Sequence, residues 1–174
     1  LVSLYNKGIY KYDIQKGKKV KILIEDKNTD EQILGQDIII GLKRYSENEI
    51  YVLAKSVYVY NQTKDIITDS GIGITGTSNL NIVKIDASYT WLHSSYELFR
   101  VNNRTKEAEL FLYDNKGAIK CIKMIGSQLF MLSSYSLSTI NLDSRLPEEL
   151  PFHYNGQLLP VLESDNVGNL FVAT

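Results

Sequence analysis

His93 and His153 are the only two imidazoles in the sequence, and Cys121 is its only thiol. These are the side chains best suited to proton transfer, nucleophilic attack or zinc binding near neutral pH. Their placement argues against all three. Neither histidine lies in a Gly-x-Ser-x-Gly turn or beside a candidate nucleophilic cysteine, as a catalytic triad would need. Two histidines and one cysteine spread along the chain match no zinc spacing. Cys121 falls in Ile119-Lys120-Cys121-Ile122-Lys123-Met124, an alternating strand pattern, and reads as a small buried hydrophobe. His153, after Pro151-Phe152, reads as a packing residue. The acidic stretch with Asp26, Asp30 and Glu31 lacks the glycine and terminal glutamate of a calcium-binding loop, and reads as a solvated linker. Gly71-Ile72-Gly73-Ile74-Thr75-Gly76 has the glycine spacing of a dinucleotide site. That motif requires a following helix to hold the pyrophosphate, and here Thr77-Ser78-Asn79 and a further strand pattern follow. No cofactor and no metal are expected. Four carboxylates, Glu97, Asp114, Glu163 and Asp165, are the candidates for a glycoside-hydrolase pair, which would need two of them to converge on one cleft.

Binding chemistry is better represented. Tyrosine supplies 12 aromatic side chains, against five phenylalanines and one tryptophan. The turns between the second and third strands carry Asn6-Lys7, Lys55, His93-Ser94-Ser95-Tyr96 and Ser134-Tyr135, which set aromatics beside small polar residues. An aromatic face next to hydroxyl, amide and imidazole groups suits a sugar, and suits a peptide almost as well. The candidate ligand-binding residues are therefore Trp91, His93, Ser95, Tyr96 and Tyr135. The 19 basic and 20 acidic side chains leave a net charge of -1, which gives no electrostatic footprint for nucleic acid or an anionic membrane. The basic cluster Lys16, Lys18, Lys19 and Lys21 alternates with apolar residues and reads as a solvated strand face. The longest apolar runs, such as Ile38–Leu42, are too short to cross a bilayer.

The elements that carry these residues repeat. Four hexapeptides share an apolar second residue, an apolar fifth residue and a final Asp or Asn. They are Gly8-Ile9-Tyr10-Lys11-Tyr12-Asp13, Ser56-Val57-Tyr58-Val59-Tyr60-Asn61, Glu97-Leu98-Phe99-Arg100-Val101-Asn102 and Ser136-Leu137-Ser138-Thr139-Ile140-Asn141. A second set precedes them with a matching period: Ile50-Tyr51-Val52-Leu53, Thr90-Trp91-Leu92-His93, Leu129-Phe130-Met131-Leu132 and Leu170-Phe171-Val172-Ala173. A unit of about 40 residues holding four short antiparallel strands is the signature of a β-propeller blade. The terminal Asp or Asn should close a turn by accepting a backbone N–H two residues on. The expected fold is all-β, a propeller of four-stranded antiparallel blades with about four blade equivalents. The sections are a partial blade over 1–26, blades over 33–70, 79–114 and 118–155, and a partial blade over 158–174. Further strands are expected at Val20–Ile24, Asp65–Thr68, Ala108–Tyr113 and Glu149–Tyr154, with prolines at loop or strand margins. Both ends supply the same second strand of the unit, so the sequence reads as an arc of a larger ring.

Asp165-Asn166-Val167-Gly168-Asn169-Leu170-Phe171-Val172-Ala173-Thr174 resembles the Asp-x-x-Gly-Asn-Leu-Trp-Val-Gly-Thr signature of two-component regulator propeller repeats. Gly8-Ile9-Tyr10-Lys11-Tyr12-Asp13 resembles the Gly-Leu-Tyr-Arg-Tyr-Asp that follows it, and Trp91 falls at the family's tryptophan. Ala173, Leu53, His93 and Leu132 depart from the family's small or branched residue. The resemblance implies the periplasmic sensor region of a hybrid two-component system of Bacteroides-like bacteria, anchored in the inner membrane and sensing polysaccharide breakdown products. The expected partners are an oligosaccharide or other small ligand, the remaining blades of the same protein and a second copy in a homodimer. Any kinase activity would lie outside this sequence, which is expected not to be an enzyme. The alternatives are a carbohydrate-acting propeller enzyme and a purely structural scaffold.

Overall fold

Alternating β-branched and aromatic residues dominate the repeat units, and such residues favour the pleated, half-buried surface of a sheet. The computed structural model describes residues 2–4, 8–24, 39–74, 79–114, 116–153, 161–165 and 167–173, and none of these is helical. The acidic loop at Asp26, Asp30 and Glu31, the turn at Asn6-Lys7, Gly76 and the stretch 154–160 lie outside the described residues. The chain divides into two compact units, Leu1–Asn81 and Ile82–Thr174.

In the first unit, β1 (Val2–Leu4), β2 (Gly8–Asp13) and β3 (Lys18–Lys21) form a three-stranded antiparallel sheet. β5 (Gly41–Arg44), β6 (Glu49–Leu53), β7 (Val57–Asn61) and β8 (Ile66–Asp69) form a second, antiparallel sheet in sequence order. The expected strand over Val20–Ile24 is split. β3 ends at Lys21, and Leu23–Ile24 forms β4, which joins β8 of the second sheet as a parallel fifth strand. Between the two pieces Ile22 is buried against Val52, Ala54, Tyr58, Tyr60 and Ile67. Burying a side chain of this size is worth about 1.5–3 kcal/mol, which accounts for the chain leaving the first sheet at this point.

The second unit holds a third sheet of β9 (Asn81–Ile85), β10 (Tyr89–His93), β11 (Glu97–Asn102) and β12 (Ala108–Tyr113). A fourth contains β13 (Cys121–Ile125), β14 (Gln128–Leu132), β15 (Ser136–Ile140) and β16 (Pro147–His153). A two-stranded sheet follows, β17 (Val161–Ser164) with β18 (Leu170–Ala173). Successive side chains alternate between faces, so the fourth sheet packs on both sides. One face puts Ile122, Leu129, Met131 and Ile140 against Trp91, Leu98 and Phe111 of the third sheet. The other puts Leu132 and Leu137 against Leu162 of β17. Pro151 lies inside β16 rather than at a margin. The ladder there passes from Ser136↔His153 to Ser138↔Glu149, so β16 has two extra residues in a bulge on an outer strand. At such a place the missing proline N–H removes no ladder bond.

The turns after β2, β7, β11 and β15, the strands formed by the four hexapeptides, are built alike. Asp13, Asn61, Asn102 and Asn141 each accept, through Oδ1, the backbone N–H groups two and three residues on, at 2.9–3.1 Å. The residue four after each cap is left-handed: Gly17 (φ 61°), Asp65 (φ 55°), Lys106 (φ 64°) and Arg145 (φ 60°). Only one of the four is glycine. Gly17→Ala is expected to destabilise the chain by about 1 kcal/mol, since its Cβ meets little but the backbone is strained for an L-residue. Urea denaturation of the two proteins checks this.

Candidate functional site

The turns joining the second and third strands of the third and fourth sheets are near copies. Ser94 N–H donates to the Glu97 carbonyl at 2.8 Å, and Ser133 N–H to that of Ser136 at 2.9 Å. Ser94 Oγ accepts the N–H groups of Tyr96 and Glu97, at 3.4 and 3.2 Å. Ser133 Oγ accepts those of Tyr135 and Ser136 in the same way, at 3.3 and 3.2 Å. Each buried serine therefore ties down a short turn whose apex presents a tyrosine. Tyr96 is 47% exposed and Tyr135 is 67% exposed. The equivalent turn of the second sheet, in the first unit, presents Lys55 instead.

The segment between β12 and β13 fixes both turns. Ile119 N–H donates to the Ser95 carbonyl at 2.6 Å, and Asp114 N–H to that of Tyr96 at 2.8 Å. Ser134 Oγ donates to the Ala118 carbonyl at 3.3 Å. Gly117 lies against the second turn: a Cβ added there would come within 3.2 Å of Tyr135 Cδ2. Ser95, Tyr96, Ser134 and Tyr135 thus share one stitched surface at one end of the two sheets, with Gly117 and Lys116 between them.

Two of the five expected ligand residues are not on this surface. Trp91 is 4% exposed in the core between the third and fourth sheets, edge-on to Phe111 at 4.9 Å between ring centroids. His93 is not a turn residue but the last residue of β10, also 4% exposed. β10 is buried on both faces, Thr90 and Leu92 included, so both side chains lie inside. The equivalents of His93 in the second and fourth sheets are Leu53 and Leu132, both buried. His93 Nδ1 bonds the Ser94 carbonyl at 2.9 Å, and burial pushes its pKa below the ordinary imidazole value. A histidine kept neutral in the fold contributes stability above its unfolded pKa of about 6.5, and that contribution is lost as the pH falls through that value toward the folded pKa. His93→Leu is expected to flatten the decline of Tm between about pH 7 and pH 5, as checked by thermal melts across that range.

The four candidate catalytic carboxylates are engaged separately. Glu97 accepts Ser94 Oγ at 2.9 Å, and Asp114 accepts Lys116 N–H at 2.9 Å. Glu163 pairs with Lys123 at 2.7 Å. Asp165 accepts Asn169 Nδ2 at 2.7 Å and the N–H groups of Val167 and Asn169, closing the β17–β18 hairpin around left-handed Gly168. The Asn169 side chain leads the contacts that hold the Asp165 carboxyl below the ordinary range. The space beside Asp114, lined also by Lys116, Ser136, Ser138 and Glu149, is about 20 Å³, room for about one water.

Ionic clasps that carry no sequence motif link neighbouring sheets within each unit. In the first, Lys11 of β2 pairs with Asp65 at 2.8 Å, and Asp65 also accepts the Tyr60 hydroxyl at 2.5 Å. The bond from Lys11, then that from Tyr60, lowers the Asp65 carboxyl pKa, while burial and then Asp65 hold the Tyr60 phenol above its usual value. In the second, Glu109 of β12 accepts Arg100 at 2.7 Å through one oxygen and Arg145 at 2.6 Å through the other. Arg100 lies over the Tyr89 ring at 4.9 Å and Arg145 over Phe111 at 4.8 Å.

No protein-family model and no curated protein matches this sequence. Solved structures do match. The chain is similar to the extracellular domain of a proposed hybrid two-component system, BT4673, from B. thetaiotaomicron, with a TM-score of 0.67 and 17% identity over 95% of this chain. Another structure of the BT4673 extracellular domain gives the same TM-score and identity over 97% of this chain. The extracellular domain of BT3049, a proposed hybrid two-component system of the same organism, matches with a TM-score of 0.58 and 16% identity over 98% of the chain. The chain spans 23–24% of the length of these structures. At this level of identity what is common is the fold: this chain has the strand architecture of the part of the BT4673 and BT3049 extracellular domains that it matches.

Proposed function

We propose that the chain is an arc of β-propeller blades in the extracytoplasmic, ligand-sensing region of a two-component signalling protein, and that glycan breakdown products are the class it senses. The observation that carries this reading is the paired surface of Ser95-Tyr96 and Ser134-Tyr135. Two exposed rings rise from matching turns tied by buried serines and by the segment between β12 and β13. Exposed rings flanked by hydroxyl groups meet the apolar face and the hydroxyl edge of a sugar together. Rigid aromatic side chains lose little entropy on binding, which favours recognition over motion at this place.

The likeness to extracellular domains of two-component systems supports the cellular setting, and the separate structural engagement of Glu97, Asp114, Glu163 and Asp165 supports a binding rather than a hydrolytic role. In this reading Trp91 and His93 act beneath the surface, by packing, rather than by touching the ligand. Calorimetric titration of the chain with a panel of neutral and acidic oligosaccharides tests the proposal. Saturable heat with at least one glycan is expected. Silence across the panel, together with tight binding of a protein partner, would replace a sugar sensor with a protein-interaction module.

A further inference from the structure

We propose that Asp114, Ser136, Ser138 and Glu149 hold one hard divalent cation, calcium by their chemistry, where the outer strands of the third and fourth sheets meet. The site lies within the second unit, and stands whether or not the tyrosine surface binds a glycan.

Register brings these groups together. Met131, Ser138 and Glu149 form one row across the fourth sheet, on the face that packs against the third. Ser136, two residues before Ser138, belongs to the same face. Asp114 follows directly on β12, the outer strand of the third sheet. All four polar side chains line one space of about 20 Å³, enough for a single small ion. At this row the ladder between β15 and β16 shifts into its bulge. A bulge re-aims side chains, and bulges are over-represented beside functional sites.

Two independent features of the space call for a cation. The first is Ser138, which is 5% exposed and whose hydroxyl has no hydrogen-bond partner among the described residues. A buried hydroxyl needs a partner, and the space it lines is where one would sit. The second is the pair of carboxylates. Asp114 is 9% exposed, and its Oδ1 accepts Lys116 N–H at 2.9 Å. Neither Asp114 nor Glu149 forms an ion pair among the described residues, although Lys116 borders the same space. Two carboxylates beside one small space, one of them buried, disfavour each other's charge unless a positive charge stands between them. Among the described residues no three His, Cys, Asp or Glu side chains gather at one point, so hydroxyl oxygens and solvent must complete the shell. Glu149 is exposed and leaves a way in for both ion and water. Carboxylate and hydroxyl oxygens with no nitrogen or sulfur suit a hard cation. Calcium accepts an irregular oxygen shell of this kind, whereas magnesium demands a near-octahedral one. The bound ion would also brace both tyrosine turns, since Asp114 N–H holds the Tyr96 carbonyl and Ser136 N–H is held by Ser133 Oγ.

The test titrates CaCl2 into the full chain, first freed of metal with a chelator, by calorimetry. Saturable one-to-one binding is expected, with a Kd on the order of 0.1–1 mM. About 10 mM CaCl2 should raise Tm by about 5 °C. Asp114→Asn keeps an oxygen for Lys116 N–H and removes the charge, and should weaken calcium binding about tenfold. Ser138→Ala removes one hydroxyl and should weaken it about threefold. Thermal melts without calcium establish that both variants fold. Glu163→Gln, at the separate ion pair with Lys123, should leave calcium binding unchanged. Absence of saturable calcium binding by the parent chain, or an affinity indifferent to both Asp114→Asn and Ser138→Ala, would overturn the proposal. Binding of MgCl2 as tight as that of CaCl2 would overturn the assignment to calcium.

Discussion

Trp91→Ala is expected to be the most damaging single substitution in the chain, at about 3–5 kcal/mol of folding stability. Its indole is buried where the third and fourth sheets meet, edge-on to Phe111, in a cluster that takes in Leu98, Ile119, Leu129, Met131 and Ile140. Removing it leaves a cavity lined from both sheets, and strands anchored from two directions cannot collapse into it. Arg100, 5.9 Å from the Trp91 ring, would lose part of the aromatic floor beneath its guanidinium. For a chain of ordinary marginal stability that loss removes a large share of the total. Urea denaturation followed by circular dichroism measures it. Trp91→Phe keeps an aromatic ring in the cluster and should recover more than half of the loss. Ligand affinity should be the same in Trp91→Phe as in the parent, because the side chain does not reach the surface.

The second large effect is expected on binding and not on stability. Tyr96→Ala with Tyr135→Ala should lower ligand affinity by about 30-fold, equivalent to about 2 kcal/mol for the pair. Each substitution should change stability by no more than about 0.5 kcal/mol, because both rings are exposed and the turns beneath them are held by Ser94, Ser133 and the backbone. Gly117→Ala gives a graded version of the same test. Its Cβ would press on the Tyr135 ring at 3.2 Å, so it should weaken binding with Tyr135 still present. A double variant that lost binding only in proportion to lost folding would assign the tyrosines to structure.

The repeat was the most legible part of the sequence, because it is written in backbone chemistry. The final Asp or Asn of each hexapeptide makes the turn that its short side chain allows, at Asp13, Asn61, Asn102 and Asn141 alike. In the hexapeptide of β7, Val57, Tyr58 and Tyr60 are all buried, so this strand packs on both faces. What could not be read depends on partners distant in sequence. The break at Ile22 follows from a core assembled mainly by β6, β7 and β8, and no local signal marks it. The left-handed backbone at Asp65, Lys106 and Arg145 is hidden because only Gly17 shows the residue that such a backbone favours. The clasps at Asp65 and Glu109 join residues many positions apart.

Trp91 and His93 stand beside Tyr96 in sequence, but both lie in β10, which is buried on both faces, while the turn sends Tyr96 outward. Proximity along the chain does not report exposure there, whereas the serine that ties each turn, Ser94 or Ser133, precedes an exposed tyrosine in both. A serine two residues before an exposed tyrosine occurs in both turns.

The most direct test of where recognition occurs is a footprint on the folded chain: two-dimensional amide spectra recorded while a glycan that gives heat in calorimetry is added. Shifts are expected to concentrate at residues 94–97, 116–119 and 133–136, with the opposite turns at Gly126–Gln128 and Asn141–Arg145 unmoved. Shifts confined to those opposite turns, or to the edge of β18, would contradict the tyrosine surface as the place where a ligand is read.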